Sequence, residues 1–110
     1  MTTEDRLSSV FAALADPTRR DILQRLRHGA VTVSELATHY PISRPAISQH
    51  LAVLERAGLV KRNRRAQWSE CSISQDSLDE VAAWIEQQRM AWNERFDRLE
   101  EYLAKENSNE

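Results

Sequence analysis

Two glycines and three prolines are the only strong backbone punctuation in this chain of 110 residues, and all five fall within its first 58 positions. Each marks a helix start or stop. Leu7, Val10, Phe11 and Leu14 recur at the i, i+3, i+4, i+7 spacing of one helix face, which predicts a first helix over about residues 4–15. Asp16 followed by Pro17 then reads as an N-cap with proline in the first turn, opening a second helix whose stripe is Ile22, Leu23 and Leu26 and whose stop is Gly29. Thr32 and Glu35 have capping-box spacing and start a short helix containing Leu36 and Ala37, which ends before Tyr40-Pro41. Ser43 caps another, with Pro45 in its first turn, Ile47, Leu51 and Leu54 along one side, and Gly58 as its stop. Two short helices joined by a tight connection are the helix-turn-helix pattern.

Past Gly58 the texture changes. Leu59 to Asn63, a basic Arg64-Arg65-Ala66, and Gln67 to Ile73 predict a β-hairpin with a basic tip. From Asp76 no breaker follows, and Leu78, Val81, Ile85, Trp92, Phe96, Leu99 and Leu103 repeat at helical spacing over about residues 76–105. A helix of about 28 residues extends roughly 42 Å at 1.5 Å per residue, more than a small domain covers, so part of its stripe requires a second chain. The expected fold is mainly α with a small β-hairpin, a dimeric winged helix-turn-helix in the order α, α, α, α, β, β, α. At this length residues 1–110 make a single domain. The last residues, Asn107 to Glu110, are expected to fray. Without a membrane-length apolar run or a leader-like start, the expected location is the cytoplasm, and no membrane partner is expected.

Charge is segregated. Between Ser43 and Trp68 there are six basic residues against Glu55 alone, whereas from Asp76 onward four basic residues face ten acidic ones. Such a chain can present a basic surface to phosphates despite a net charge of −2. With Ile47, Leu51 and Leu54 facing inward, a helical wheel turns Pro45, Gln49, Ala52 and Arg56 outward with Ser48 beside them. That small, polar face suits a recognition helix, because it lets the backbone approach the major groove while Ser48 and Gln49 hydrogen-bond to base edges or phosphates. Gln49 is the candidate for reading adenine. Ser43 and Arg44, at the positive end of the helix dipole, suit a phosphate. Arg62, Arg64 and Arg65 with Gln67 are placed to follow the DNA backbone or enter the neighbouring minor groove.

The sequence resembles the ArsR/SmtB winged-helix repressors over nearly its whole length. The likeness rests on Leu14-Ala15-Asp16-Pro17-Thr18-Arg19-Arg20 with Ile22-Leu23, on Val33-Ser34-Glu35-Leu36-Ala37, and on Ser48-Gln49-His50-Leu51 continuing through Leu54 to Ala57-Gly58-Leu59-Val60. The resemblance implies a homodimer built from the first and last helices, hence Leu7, Val10, Phe11 and Leu14 with Trp84, Ile85, Trp92, Phe96, Leu99 and Leu103. It further implies binding to a palindromic operator in double-stranded DNA and repression of the chain's own gene or a neighbour. This chain departs from the family in having Ala66 where a wing Gly is usual and Cys71 where a Tyr is common.

Many members release DNA on binding metal, but the ligands for that are missing from this sequence. Val31 to His39 holds no cysteine, no His follows Asp76, and His28, His39 and His50 belong to three different elements without a chelating i, i+3 or i, i+4 pair. No metal and no cofactor are expected; His50 reads as a packing or phosphate contact and Cys71 as a buried, inert thiol. Trp84 and Trp92 read as core or dimer packing ahead of a ligand pocket. The chain has no Gly-rich phosphate loop and no nucleophile beside a base, so it is not expected to be an enzyme. Two alternatives stay open: a metal-, redox- or ligand-responsive derepressor of the same family, whose inducer the sequence does not name, and a winged-helix interaction module without DNA binding.

Overall fold

A computed structural model describes residues 2–65 and 68–108. Its elements run α1 (Thr3–Leu14), α2 (Pro17–Leu26), β1 (Val31–Thr32), α3 (Val33–Ala37), α4 (Arg44–Arg56), β2 (Val60–Arg65), β3 (Trp68–Ile73) and α5 (Asp76–Ser108). The helix starts follow local side-chain chemistry. Asp16 accepts from the backbone N–H groups of Thr18 and Arg19, Thr32 from Glu35, and Ser43 from Ala46, each satisfying donors that a helix N-terminus leaves orphaned. A reciprocal capping box that periodicity did not reveal opens α1, where the Thr2 hydroxyl accepts from the Asp5 backbone and the Asp5 carboxylate from that of Thr2. Gly58 ends α4 at φ +77°, and a Cβ there would also collide with the Ser77 side chain, so both conformation and space demand glycine.

The strands differ from expectation in two respects. The hairpin gains a third strand, because the two residues of β1 pair antiparallel with β3 at Val31–Cys71 and Thr32–Glu70, giving the order β1-β3-β2. Pairing of β2 with β3 also extends from Val60–Ile73 out to Arg65–Trp68. Arg64 and Arg65 therefore belong to a strand and not to a connecting tip.

Residues up to Glu80 form one unit. Its core gathers Val10, Ile22, Leu36, Ile47, Leu51, Leu54, Leu59 and Cys71, all under 2 % exposed. From Val81 the chain forms a second unit, the continuous remainder of α5. That helix runs through Asn107 to Ser108, past the point at which fraying was expected. Among the described residues no helix is long and apolar enough to cross a membrane.

Candidate nucleic-acid interface

On α4 the wheel expected from sequence is realised except at Ala52, which the wheel turns outward with Gln49 but which is drawn partly inward. Ile47, Leu51 and Leu54 are completely buried, Pro45, Gln49 and Arg56 are exposed, and Ser48, His50 and Ala52 are half-buried. Burial of three aliphatic side chains on one face holds the opposite face in a single orientation. Gln49 is thus presented on a rigid helix. At the N-terminal end, Ser43 spends its hydroxyl on the cap, and the exposed Arg44 hydrogen-bonds to the Ser34 hydroxyl on α3. Arg56 stands apart from this group. It lies twelve residues further along α4, roughly 18 Å at helical rise, beside Ser9 and Ala12 of α1.

The half-buried His50 has a protein partner. Its Nδ1 lies 3.4 Å from the guanidinium of Arg19, which also donates to the Ala13 and Ala12 carbonyls at 2.7 and 3.0 Å. Arg20 adds a bond to the Leu14 carbonyl at 2.7 Å. Two arginines of α2 therefore satisfy the C-terminal carbonyls of α1, and one of them reaches α4. In the sequence Arg19 and Arg20 stand out only as part of the Asp16-Pro17-Thr18-Arg19-Arg20 motif; no periodicity signals this role, because it depends on the angle between two helices. The backbone N–H of Arg19, with help from Thr18, holds the Asp16 carboxyl below its ordinary range.

The turn between α3 and α4 is tied to α2 by a second polar cluster. The Tyr40 hydroxyl donates to Asp21 Oδ2 at 2.5 Å, and Arg25 Nε lies 3.1 Å from both that oxygen and the Tyr40 hydroxyl. Burial, reinforced by the Asp21 carboxylate, pushes Tyr40 up to about 12, and the same hydroxyl holds Asp21 below its usual value.

In the sheet, alternation puts Val60, Arg62 and Arg64 of β2 on the face shared with Ile73, Cys71 and Ser69 of β3. Toward the core that face is apolar. Cys71 is fully buried there, and burial raises its thiol above the ordinary range, which favours the neutral form. Directly opposite Cys71, Arg62 is only 17 % exposed in its side chain, so it belongs to the base of the wing and not to its tip. Arg64 is exposed. Gln67, and the side chain of Arg65, lie outside the described residues.

Of the residues expected at a dimer interface, Leu7 and Val10 are buried within the unit that contains them, at 8 % and 1 % exposure, and Leu14 is half-buried. Phe11 is 43 % exposed. On α5, Ile85, Trp92, Phe96, Leu99 and Leu103 are each about half exposed or more, and Trp84 somewhat less. Trp92 and Phe96 stack with ring centroids 6.0 Å apart, and the Arg95 guanidinium lies over Trp92. Among the described residues no three His, Cys, Asp or Glu side chains are grouped so as to hold a metal ion.

Comparison with known proteins agrees with this architecture. A helix-turn-helix domain family matches residues 14–63. The chain is 37 % identical over 79 residues to the transcriptional repressor SdpR of Bacillus subtilis, covering 72 % of this chain and 88 % of that one. It is 30 % identical over 99 residues to the arsenical resistance operon repressor of Escherichia coli, covering 89 % and 85 %. An ArsR-like transcriptional regulator from a Rhodococcus species superposes with a TM-score of 0.77 at 35 % identity, covering 88 % of this chain and 92 % of that structure.

Proposed function

The chain belongs to the ArsR family of winged helix-turn-helix DNA-binding transcriptional regulators, and from that premise we propose that it is a homodimeric repressor of a palindromic operator, in its own promoter or beside it. The observation that carries this reading is α4, where Gln49 is exposed above three fully buried aliphatic anchors with the smaller Ser48 beside it. A glutamine on a helix that lies in the major groove can pair bidentately with adenine N6 and N7. Arg44 at the start of that helix and Arg64 and Arg65 on the wing supply charge for the phosphates on either side, a sequence-independent term that sets register.

Dimerisation follows from α5. Half-exposed Ile85, Phe96, Leu99 and Leu103 at helical spacing form an apolar stripe too large to leave in water, and an identical stripe is its natural complement. Repression, as in the SdpR relative, follows from a dimer that covers promoter DNA. Its two recognition helices read half-sites about 34 Å apart or a multiple of that spacing.

Footprinting on the promoter of the chain's own gene, combined with a salt titration of binding, tests the proposal. The expected result is a symmetric protected site and an affinity that falls steeply with salt. An affinity that ignores salt, or no protection anywhere in the promoter, overturns it.

A further inference from the structure

A cleft of about 260 Å³ opens where α3, the start of α4 and the base of the wing meet, lined by Thr32, Val33, Ser34, Arg44, Ser48, Arg62 and Ser69. Apart from Val33 these are hydroxyls and guanidinium groups. Two of these residues each carry a buried polar atom without a hydrogen-bond partner, Nε of Arg62 and Oγ of Ser69. The carboxylate paired with Arg62, that of Glu55 on α4, stays 4.0 Å from Nε, beyond hydrogen-bonding distance. Buried donors are almost always paired in folded proteins, so two unpaired ones on residues of a single polar cleft call for a ligand atom.

The chemistry of the walls selects the ligand. Two guanidinium groups repel cations, and four hydroxyls with an arginine fork match the several acceptor oxygens of a tetrahedral oxyanion. Ser48 belongs to this wall and also stands next to Gln49, which places the cleft beside the face read as DNA-contacting. We propose that the cleft seats one phosphate of the DNA backbone, with Arg62 Nε and Ser69 Oγ as donors from the wing and Arg44 as a second charge from α4. This rests on the DNA-binding reading above, and of the two roles expected for Arg62, following the DNA backbone or entering the minor groove, it selects the first, at one phosphate. Ser34, Thr32 and Ser69 become part of the interface.

The test uses the full chain and a fixed duplex of about 30 base pairs, with affinity measured over a range of salt concentrations. Ser69→Ala should weaken binding about ten-fold with the salt slope unchanged, since it removes a hydrogen bond to a charged group and no charge. Arg62→Gln should also weaken binding and flatten the slope by about 0.9, one phosphate's worth of counterion release. Thermal melting of the Ser69→Ala variant should match the unaltered chain; should Arg62→Gln fail to fold, Ser69→Ala decides alone. Wild-type affinity in Ser69→Ala overturns the seat while leaving DNA binding intact; absence of salt-dependent binding by the unaltered chain overturns the broader reading instead. Inorganic phosphate separates the two sources of oxyanion. If its ³¹P line broadens with the unaltered chain but not with Ser69→Ala, and DNA affinity is the same for both, the cleft takes free phosphate and the DNA assignment is wrong.

Discussion

Residues up to Glu80 and the length of α5 beyond them solve the hydrophobic problem in opposite ways. The first unit buries its own aliphatic side chains. Leu36, Ile47, Leu51, Leu54 and Leu59 are all at most 1 % exposed, and the helix ends around them are capped by their own hydroxyls, carboxylates and arginines. In α5 a stripe of equal period leaves Phe96 at 56 %, Leu99 at 51 % and Leu103 at 51 %. Periodicity says that a face will be buried. It does not say by which chain; the proposed homodimer assigns the first set of side chains to the chain's own fold and the second to a partner copy.

The same substitution made in both regions should break this comparison if it is wrong. Leu51→Ala removes a fully buried side chain under the recognition face and should destabilise the fold by about 2–5 kcal/mol, independently of protein concentration. Leu99→Ala should leave melting at high concentration nearly unchanged and lower it on dilution, because its stabilisation is linked to association. Chemical denaturation at two protein concentrations separates the pair. Equal, concentration-independent losses would remove the distinction between the two regions.

Placing a charge in the stripe sharpens the point. Phe96→Glu should convert a species of twice the 12.7 kDa chain mass into the single chain, as read by light scattering. Burying a phenylalanine contributes roughly 1.5–3 kcal/mol, and a symmetric interface loses it twice. Operator binding should fall with the dimer while the secondary structure of the first unit persists. A dimer that survives this substitution assigns the interface to another surface.

Gln49→Ala acts on the other side of the comparison, where packing is untouched. It should cost about 1–3 kcal/mol on the matched operator and far less on a scrambled duplex, with no change in melting or mass. Equal losses on both duplexes would reduce Gln49 to a backbone contact.

What was legible in the sequence tracks how local its cause is. Caps at Asp16, Thr32 and Ser43 and the stop at Gly58 could be read because the hydrogen bonds that make each join residues no more than five positions apart. The inward and outward faces of α4 were legible because helical period alone separates Ile47, Leu51 and Leu54 from Gln49. Strand β1 was not, since two residues cannot show alternation and its cause is the edge of β3. Leu7 and Val10 were grouped with Phe11 on a shared stripe, although two of the three are buried within their own unit. The cleft was least legible of all. Its walls come from positions 32–34, 44 and 48, 62, and 69, and what marks it is the absence of hydrogen bonds at two atoms, which no local pattern carries.

The smallest expected effect asks whether polar ties matter to the first unit beside its core. Tyr40 joins the turn before α4 to α2 through Asp21, and its ionisation is pushed from 10.0 up to about 12, first by burial and then by the Asp21 carboxylate that accepts its hydrogen bond. A raised value for an acid means that the folded state holds the proton more tightly than the unfolded chain. The stabilisation is therefore complete below pH 10 and is lost as pH rises from 10 to 12. Partial exposure reduces it to about 1 kcal/mol. Tyr40→Phe removes the titrating hydroxyl, so thermal melts between roughly pH 9 and pH 12 should fall less steeply for the variant than for the unaltered chain, other alkaline titrations being common to both. Since that hydroxyl also holds Asp21 below its usual range, the contribution Asp21 makes above its unfolded value and loses as pH falls should shrink as well. Parallel melting curves across both windows would show that the turn before the recognition helix is positioned by the buried leucines alone.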